Sequence, residues 1–275
     1  PEEYRHCLEI VEGRAKVLQD LITSFYDLSR IEGGEYPLEL QSVDLRRRLE
    51  PLLAGFYEDF EQAGFQVTVE LMFPEGSTMA EIFEKLEENG VSTVEELEDA
   101  AANYVFNYSF LDPTLGDAQR MEGYLFPDTY EFYMGEDPVS VLNKMILRFD
   151  EIFTEQMRAD IQASGHTIND AVIIASMIEK ETDGTDREKI SSVIYNRLEN
   201  AGETAYYLQI DASLVYAAGR AITQEDYETL DSPYNLYQHT GLPPTPIANP
   251  GLASIKAALQ PADTDYYYYV LGADG

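Results

Sequence analysis

A glutamate at the end of an apolar helical stripe is the residue in this sequence best placed for acid–base chemistry. The run DAVIIASMIEKET, residues 170–182, predicts a helix opened by Asn169. On a wheel of about 100° per residue, Glu181 lies at the centre of an apolar face, whereas Glu179 and Lys180 lie on the polar side. The apolar face consists of Ala171, Ile174, Met177 and Ile178.

A carboxyl group in this position is either a helix end exposed to water or a desolvated acid. Desolvation and the negative end of a helix both raise a carboxyl pKa, which keeps the group protonated closer to neutral pH. A protonated glutamate is what cleavage of a glycosidic bond requires of its general acid. Taken alone, the helical wheel leaves both interpretations open.

Further blocks of sequence surround this helix. They read EGYLFPDTYEF (122–132), SSVIYNRLENAG (191–202), LQIDASLVYAAG (208–219), SPYNLYQHTGLPPTPIANPGLASIKAAL (232–259) and YYYYVLGADG (266–275). In order and spacing they resemble the YceG-like family of endolytic murein transglycosylases over about residues 67–275. The resemblance implies a peptidoglycan lytic transglycosylase, which cleaves the MurNAc–GlcNAc bond, leaves 1,6-anhydro-MurNAc ends and acts in cell wall assembly.

The resemblance assigns the family's catalytic glutamate to Glu181, the residue that the helical wheel also selects. It places six further residues around the sugar cleft as substrate-binding candidates: Glu122, Asn196, Gln209, Asp211, Tyr234 and Asn235. From the residues alone, Asn196 could instead cap or pair within its helix, and Asp211 could cap the next helix. Any one tyrosine could fill the core, and the run GLPPTPIANPG favours a rigid loop wall.

The reaction class has three alternatives at this point. A lytic transglycosylase needs one acid, because the C6 hydroxyl of the muramic sugar attacks its own anomeric carbon. A muramidase-type hydrolase needs a second carboxylate across the sugar, which Asp211 or Asp183 could supply. A non-catalytic peptidoglycan-binding module would keep the cleft without the acid, and the presence of Glu181 counts against it.

The first 66 residues have a different character. Residues 1–32 predict one long helix that Gly33 and Gly34 end, followed by a short strand over 35–40 and a helix over 44–64. The runs DLSRIEGGEYPLELQSVDL and LLAGFYEDFEQAGFQ resemble the second dimerisation helix and the start of the ATPase domain of a sensor histidine kinase. The phosphoacceptor context and the ATP-binding boxes of that family are missing, so we interpret the segment as non-catalytic and the chain as a possible chimera.

The expected fold is α+β with three parts. A helical segment over 1–66 precedes a small LysM-like α/β subdomain over 67–115 and a larger, C-terminally truncated catalytic domain over 116–275, whose central helix bears the glutamate. In the LysM-like part, an alternating strand leads through a turn to a helix capped at Ser77 and Thr78, with Glu81 three residues after Thr78. A second helix is predicted over 93–105, and another over 138–153.

Composition narrows the partners and cofactors. With 51 acidic and 18 basic residues the net charge is −33, which disfavours nucleic acid and anionic membranes but not an uncharged glycan. The single cysteine, Cys7, excludes an intrachain disulfide, and His6, His166 and His239 are scattered, so no metal or organic cofactor is implied.

The chain starts without methionine and ends directly after a strand-like run, so we expect it to be part of a longer protein. By resemblance, the full protein carries a membrane anchor, acts at the extracytoplasmic face of the bacterial cell membrane, and has peptidoglycan strands and cell-wall synthesis proteins as partners. No segment of this sequence has the length of apolar residues that spans a bilayer.

Overall fold

The computed structural model describes residues 67–269 except 183, 185, 201 and 203, together with residues 11, 14–16, 18, 19 and 22. The last group is helical at every described position, as predicted for 1–32. The predicted strand over 35–40, the predicted helix over 44–64, Cys7 and His6 lie outside the described residues. The chain divides into two compact units, Pro1–Thr68 and Val69–Gly275, and the predicted boundary at residue 115 falls inside the second.

The mixed α+β class is confirmed, with helices predominating over a two-stranded sheet. The strands are β1 (Thr68–Met72) and β2 (Thr129–Tyr133). The helices are α1 (Met79–Glu88), α2 (Val94–Asn103), α3 (Pro138–Ile152), α4 (Glu155–Ser164), α5 (Ile168–Glu181), α6 (Arg187–Glu199), α7 (Asp211–Ala218), α8 (Asp226–Thr229) and α9 (Leu252–Leu259), with a 3₁₀ helix at Ala118–Met121.

Two capping boxes fix where α1 and α2 begin. The Thr78 hydroxyl accepts from the Glu81 N–H while the Glu81 carboxylate accepts from the Thr78 N–H, as the sequence predicted. Thr93 and Glu96 repeat this arrangement at the start of α2. Reciprocal capping satisfies amide groups that a helix otherwise leaves unpaired, so the start of α1 is defined locally.

Helix α5 is the centre of the core. It packs against α9 most extensively and also against α4, α6 and α7. Every residue from Ala171 to Ile178 is buried, so the helix is enclosed on all sides and is not an amphipathic stripe. It also begins two residues earlier than predicted, because Thr167, and not Asn169, is the residue whose side chain caps it.

Arg120, in the 3₁₀ helix, joins α2 to the loop that follows it. Its guanidinium is buried and donates to the carbonyls of Ala101, Tyr104 and Asp112. A buried guanidinium is tolerated only when its N–H groups are paired, and three carbonyls supply the partners here. This fixes the chain immediately before Glu122.

Two details of the C-terminal half differ from the sequence expectations. Asp211 is the first residue of α7 and does not cap it, since Ile210 occupies the cap position. The tyrosine run at 266–269 forms no strand. Within the part of the chain that the structure describes, no helix is both long and apolar enough to cross a membrane.

Helix α3 offers a matched test of the core. Leu142 is fully buried, whereas Leu147 on the same helix is 44% exposed. Leu142→Ala should lower the free energy of unfolding by about 2–5 kcal/mol, because it removes buried methyl groups and leaves a cavity. Leu147→Ala should change it by less than about 1 kcal/mol. Urea unfolding followed by circular dichroism measures both, and equal losses would contradict this core.

Candidate active site

A cleft of about 1220 Å³ brings several acidic and aromatic side chains together. The start of α1, the residues after the 3₁₀ helix, the end of α5 and the start of α7 form its walls. Its carboxyl groups belong to Glu81, Glu98, Glu122, Glu181 and Asp211, and Tyr216, Tyr234 and Ile247 add ring and aliphatic surface. The cleft therefore brings together four residues that the sequence selected: Glu122, Glu181, Asp211 and Tyr234.

Glu181 is the last residue of α5, and most of its carboxyl group is withdrawn from water. Burial raises its pKa above the ordinary 4.5, and the neighbouring charge of Asp211 acts in the same direction. The nearby Tyr269 hydroxyl and Ala212 N–H, and the charge of Arg197, oppose the rise without cancelling it. The group is therefore an acid that keeps its proton to higher pH than an exposed glutamate.

Two helix termini act on Glu181 in opposite directions. The negative end of α5, where it lies, favours the protonated acid, whereas the Ala212 N–H at the positive start of α7 favours the carboxylate. An acid that first gives up and later regains a proton needs both states to be accessible. Nearby, the Asp211 carboxylate accepts from the hydroxyls of Tyr237 at 2.6 Å and Tyr227 at 3.1 Å.

Glu122 is the most deeply buried carboxyl group of the cleft, with 2% of the residue exposed. It accepts from the Met79 N–H at 3.0 Å, the Asn249 amide at 3.1 Å and the Tyr216 hydroxyl at 3.1 Å. Burial raises its pKa to about 7, although these hydrogen bonds act against the rise.

Glu179 does not lie on a polar surface, contrary to the wheel. Its side chain is 7% exposed, accepts from the Gly251 N–H at 2.9 Å and lies 3.7 Å from the Arg187 guanidinium. Helix α9 packs on the face of α5 that the wheel predicted to be polar, so the Glu179 carboxylate is buried against the start of α9. Glu179 therefore fixes the end of α5 without lining the cleft.

The sequence profile of the YceG-like family matches residues 10–275. The chain belongs to this family. The match includes residues 10–66, for which the kinase-like resemblance and the non-catalytic role stay predictions.

Named relatives support the same family. An endolytic murein transglycosylase of Bacillus subtilis is 37% identical over 183 residues, covering 66% of this chain and 48% of the relative. One from Streptococcus pneumoniae is 29% identical over 288 residues, covering 94% of this chain and 51% of the relative. The chain thus spans about half the length of these relatives. A crystal structure of a YceG-like protein from Listeria monocytogenes superposes with a TM-score of 0.62 at 27% identity, covering 80% of this chain and 75% of that one.

Two YceG-like motif residues make contacts that differ from the predicted ones. The Asn196 amide donates to the carbonyls of Thr264 and Tyr266 and lines a separate cavity of about 280 Å³. Asn235 is fully buried, donates to the Leu230 carbonyl and accepts from the Tyr237 N–H. These contacts favour a structural role for Asn235, because both its amide nitrogen and its amide oxygen are already paired with backbone, and they tie the Asn196 nitrogen to the chain at Thr264 and Tyr266.

Gln209 and Tyr234 remain substrate-binding candidates. Gln209 has an exposed side chain and a φ of +52° two residues before α7 begins, a left-handed conformation that is uncommon for a residue with a side chain. The Tyr234 hydroxyl lies 2.7 Å from that of Thr245 and 3.2 Å from the Gln119 amide oxygen.

Sequence reasoning missed four residues of the site. Tyr216, Asn249, Arg197 and Tyr269 contact or influence its two buried glutamates, and all four lie inside the blocks that carry the family resemblance. Their place inside these blocks was the available signal, but the spacing of the residues did not indicate which side chains face the two glutamates. Among the described residues, no group of three histidine, cysteine or acidic side chains is arranged to hold a metal ion.

Gly123 allows Pro246 and Val172 to pack closely against the backbone next to Glu122. Its φ is +90°, and a Cβ there would lie 2.5 Å from Pro246 and 2.8 Å from Val172. Gly123→Ala should destabilise the fold by at least about 2 kcal/mol, since backbone strain and overpacking add. Gly165→Ala is the control, because its φ of +83° is similar but no atom lies within 4 Å of the added Cβ. Thermal unfolding should rank the two variants in this order, and equal losses would count against the close contact.

Proposed function

We propose that this protein is an endolytic lytic transglycosylase of peptidoglycan in which Glu181 is the catalytic acid and base. The observation that carries the proposal is a largely buried carboxyl group with a raised pKa in the main cleft of a YceG-like chain. The names of the Bacillus and Streptococcus relatives supply the substrate and the reaction.

In the proposed mechanism, Glu181 first donates its proton to the glycosidic oxygen between MurNAc and GlcNAc. The bond to the anomeric carbon breaks, and the GlcNAc strand leaves with the transferred proton. The Glu181 carboxylate then takes the proton from the C6 hydroxyl of the muramic sugar, whose oxygen bonds to the same carbon and closes the 1,6-anhydro ring. The Tyr269 hydroxyl and the Ala212 N–H stabilise the carboxylate between the two steps.

The size and the lining of the cleft suit a polymeric and mostly uncharged substrate. Its volume of about 1220 Å³ exceeds that of a typical small-molecule pocket, and Tyr216 and Tyr234 offer ring faces on which sugars can stack. We assign the predicted LysM-like part, residues 67–115, to glycan binding, since α1 forms one wall of the cleft. Asp211 and Gln209 are the further substrate-binding candidates.

We place this activity at the extracytoplasmic side of the cell membrane, where the glycan is, with cell-wall synthesis proteins as partners. A muramidase-type hydrolysis is the main chemical alternative, because Asp211 lies close enough to influence Glu181. A lytic reaction needs no second carboxylate, so Asp211 is not required to act on water.

The test is product analysis combined with a matched pair of glutamate variants. Purified glycan strands treated with the protein should yield 1,6-anhydro-MurNAc ends by mass spectrometry. Glu181→Gln should lower turnover by about 10²–10⁴-fold, because it keeps the shape of the side chain but removes the transferable proton. Glu179→Gln should have a much smaller effect, since the Glu179 side chain contacts the Gly251 N–H and Arg187 and does not line the cleft.

The control is circular dichroism, which should show that both variants fold. Reducing ends in place of anhydro ends would establish the hydrolase instead. If Glu179→Gln loses activity while Glu181→Gln retains it, Glu181 is not the catalytic acid.

The rate should also fall on the alkaline side of its pH profile. Glu181 must start protonated, and burial raises its pKa above 4.5, so activity is lost as pH rises through that raised value. The decline should therefore lie at higher pH than for an exposed glutamate. Steady-state kinetics on glycan strands across a pH series measures it, and a rate that increases through this range would contradict a general-acid role.

A further inference from the structure

Glu122 is a buried carboxylate whose recorded hydrogen-bond partners are all neutral. The Met79 N–H donates to both carboxylate oxygens, at 3.0 and 3.2 Å. The Asn249 amide donates to one oxygen at 3.1 Å and the Tyr216 hydroxyl to the other at 3.1 Å. Hydrogen bonds to an ionised acceptor are among the strong ones, so these contacts favour the charged form despite its burial.

The three donors belong to three separate elements. Met79 is the first residue of α1, Tyr216 lies on α7, and Asn249 lies in the loop before α9. Each of these elements also borders the cleft or supports its wall. Glu122 thus joins the start of α1, which forms one wall of the cleft, to α7 and to the loop before α9.

The Asn249 side chain is oriented by independent contacts. Its amide oxygen accepts from the Leu125 N–H at 2.8 Å, and its NH₂ group donates to the Ser77 carbonyl at 3.0 Å. The NH₂ group must therefore face Glu122, where it can donate and cannot accept. The Met79 N–H is likewise a donor only, so two of the three partners require an acceptor at Glu122.

We infer that Glu122 is a positioning residue whose ionised carboxylate holds α1 against α7 and the Asn249 loop, and so sets the width of the cleft for the glycan. This inference rests on the proposed function. It differs from a direct sugar contact, because the carboxylate oxygens already receive hydrogen bonds from protein donors. An ionised carboxylate can accept from all three donors at once, since the Met79 N–H and the Asn249 amide reach one oxygen and the Tyr216 hydroxyl reaches the other.

The inference predicts a pH dependence of glycan binding. Burial raises the pKa of Glu122 to about 7, and the negative charge of Glu81 on α1 adds to the rise. The other titratable groups that face it are Tyr216 on α7 and Tyr234, with Asp117 close to both tyrosines. The carboxylate is present above about pH 7 and is lost as pH falls through that value, so binding should weaken on the acid side.

The test measures binding in the Glu181→Gln background, where cleavage of the glycan should be far slower. At pH 8, adding Glu122→Gln should weaken binding to purified glycan strands by on the order of tenfold, because the amide NH₂ that replaces Oε2 would face the Met79 N–H, 3.2 Å away, and could bond Tyr216 only by donating. Binding by the Glu122→Gln variant should also lose its change near pH 7. Tyr216→Phe removes one donor only, so it should weaken binding less and keep the pH dependence.

A second measurement does not depend on glycan. Amide hydrogen exchange at the start of α1 should become faster by on the order of tenfold in Glu122→Gln, while α3 should be unchanged. Unchanged exchange in α1, or unchanged binding with the same pH dependence, would overturn the inference. If Glu122→Gln does not fold, two other measurements test the inference by the same criteria. They are glycan binding and α1 exchange in Tyr216→Phe, and the pH dependence of glycan binding by the parent protein. If the parent binds no glycan but α1 exchange changes as expected, the proposed function fails while the joining role of Glu122 stands.

Discussion

Desolvation of carboxyl groups is the constraint on which the rest of this structure depends. Glu122 and Glu181 both lie in the cleft of a chain whose net charge is −33, and burial raises the pKa of each. A buried carboxylate is costly unless donors surround it. The Met79 N–H at the start of α1 and the Tyr216 hydroxyl donate to Glu122, and the Ala212 N–H and the Tyr269 hydroxyl lie near Glu181. The walls of the cleft are arranged around this requirement.

Helix α5 shows how that arrangement is achieved. Burial of every residue from Ala171 to Ile178 fixes the helix in the core, so its final residue emerges at a defined place. Glu179, beside it, binds the start of α9 and holds the helix end. The proposed acid is thereby carried on a rigid element, while the loops contribute supporting contacts.

Local signals in the sequence predicted local structure well. The capping box of Thr78 and Glu81 and the position of α3 were evident because both depend on neighbours within a few residues. The helical wheel put Glu181 on the apolar face without deciding whether it is buried, and it put Glu179 in water, since periodicity cannot show that α9 covers the other face. Family motifs likewise marked Asn235 without revealing that backbone groups occupy its side chain. Such long-range contacts are fixed by tertiary packing and not by spacing.

The contacts of Asn249 have a consequence for how the protein is made. Its side chain joins residues that lie 124, 127 and 172 positions earlier in the chain: Leu125, Glu122 and Ser77. Contacts between such distant residues carry a large loop-closure cost and slow folding. During synthesis none of them can form before residue 249 has been added and has left the ribosome. A nascent or prematurely terminated chain therefore lacks a finished cleft, however complete its earlier helices are.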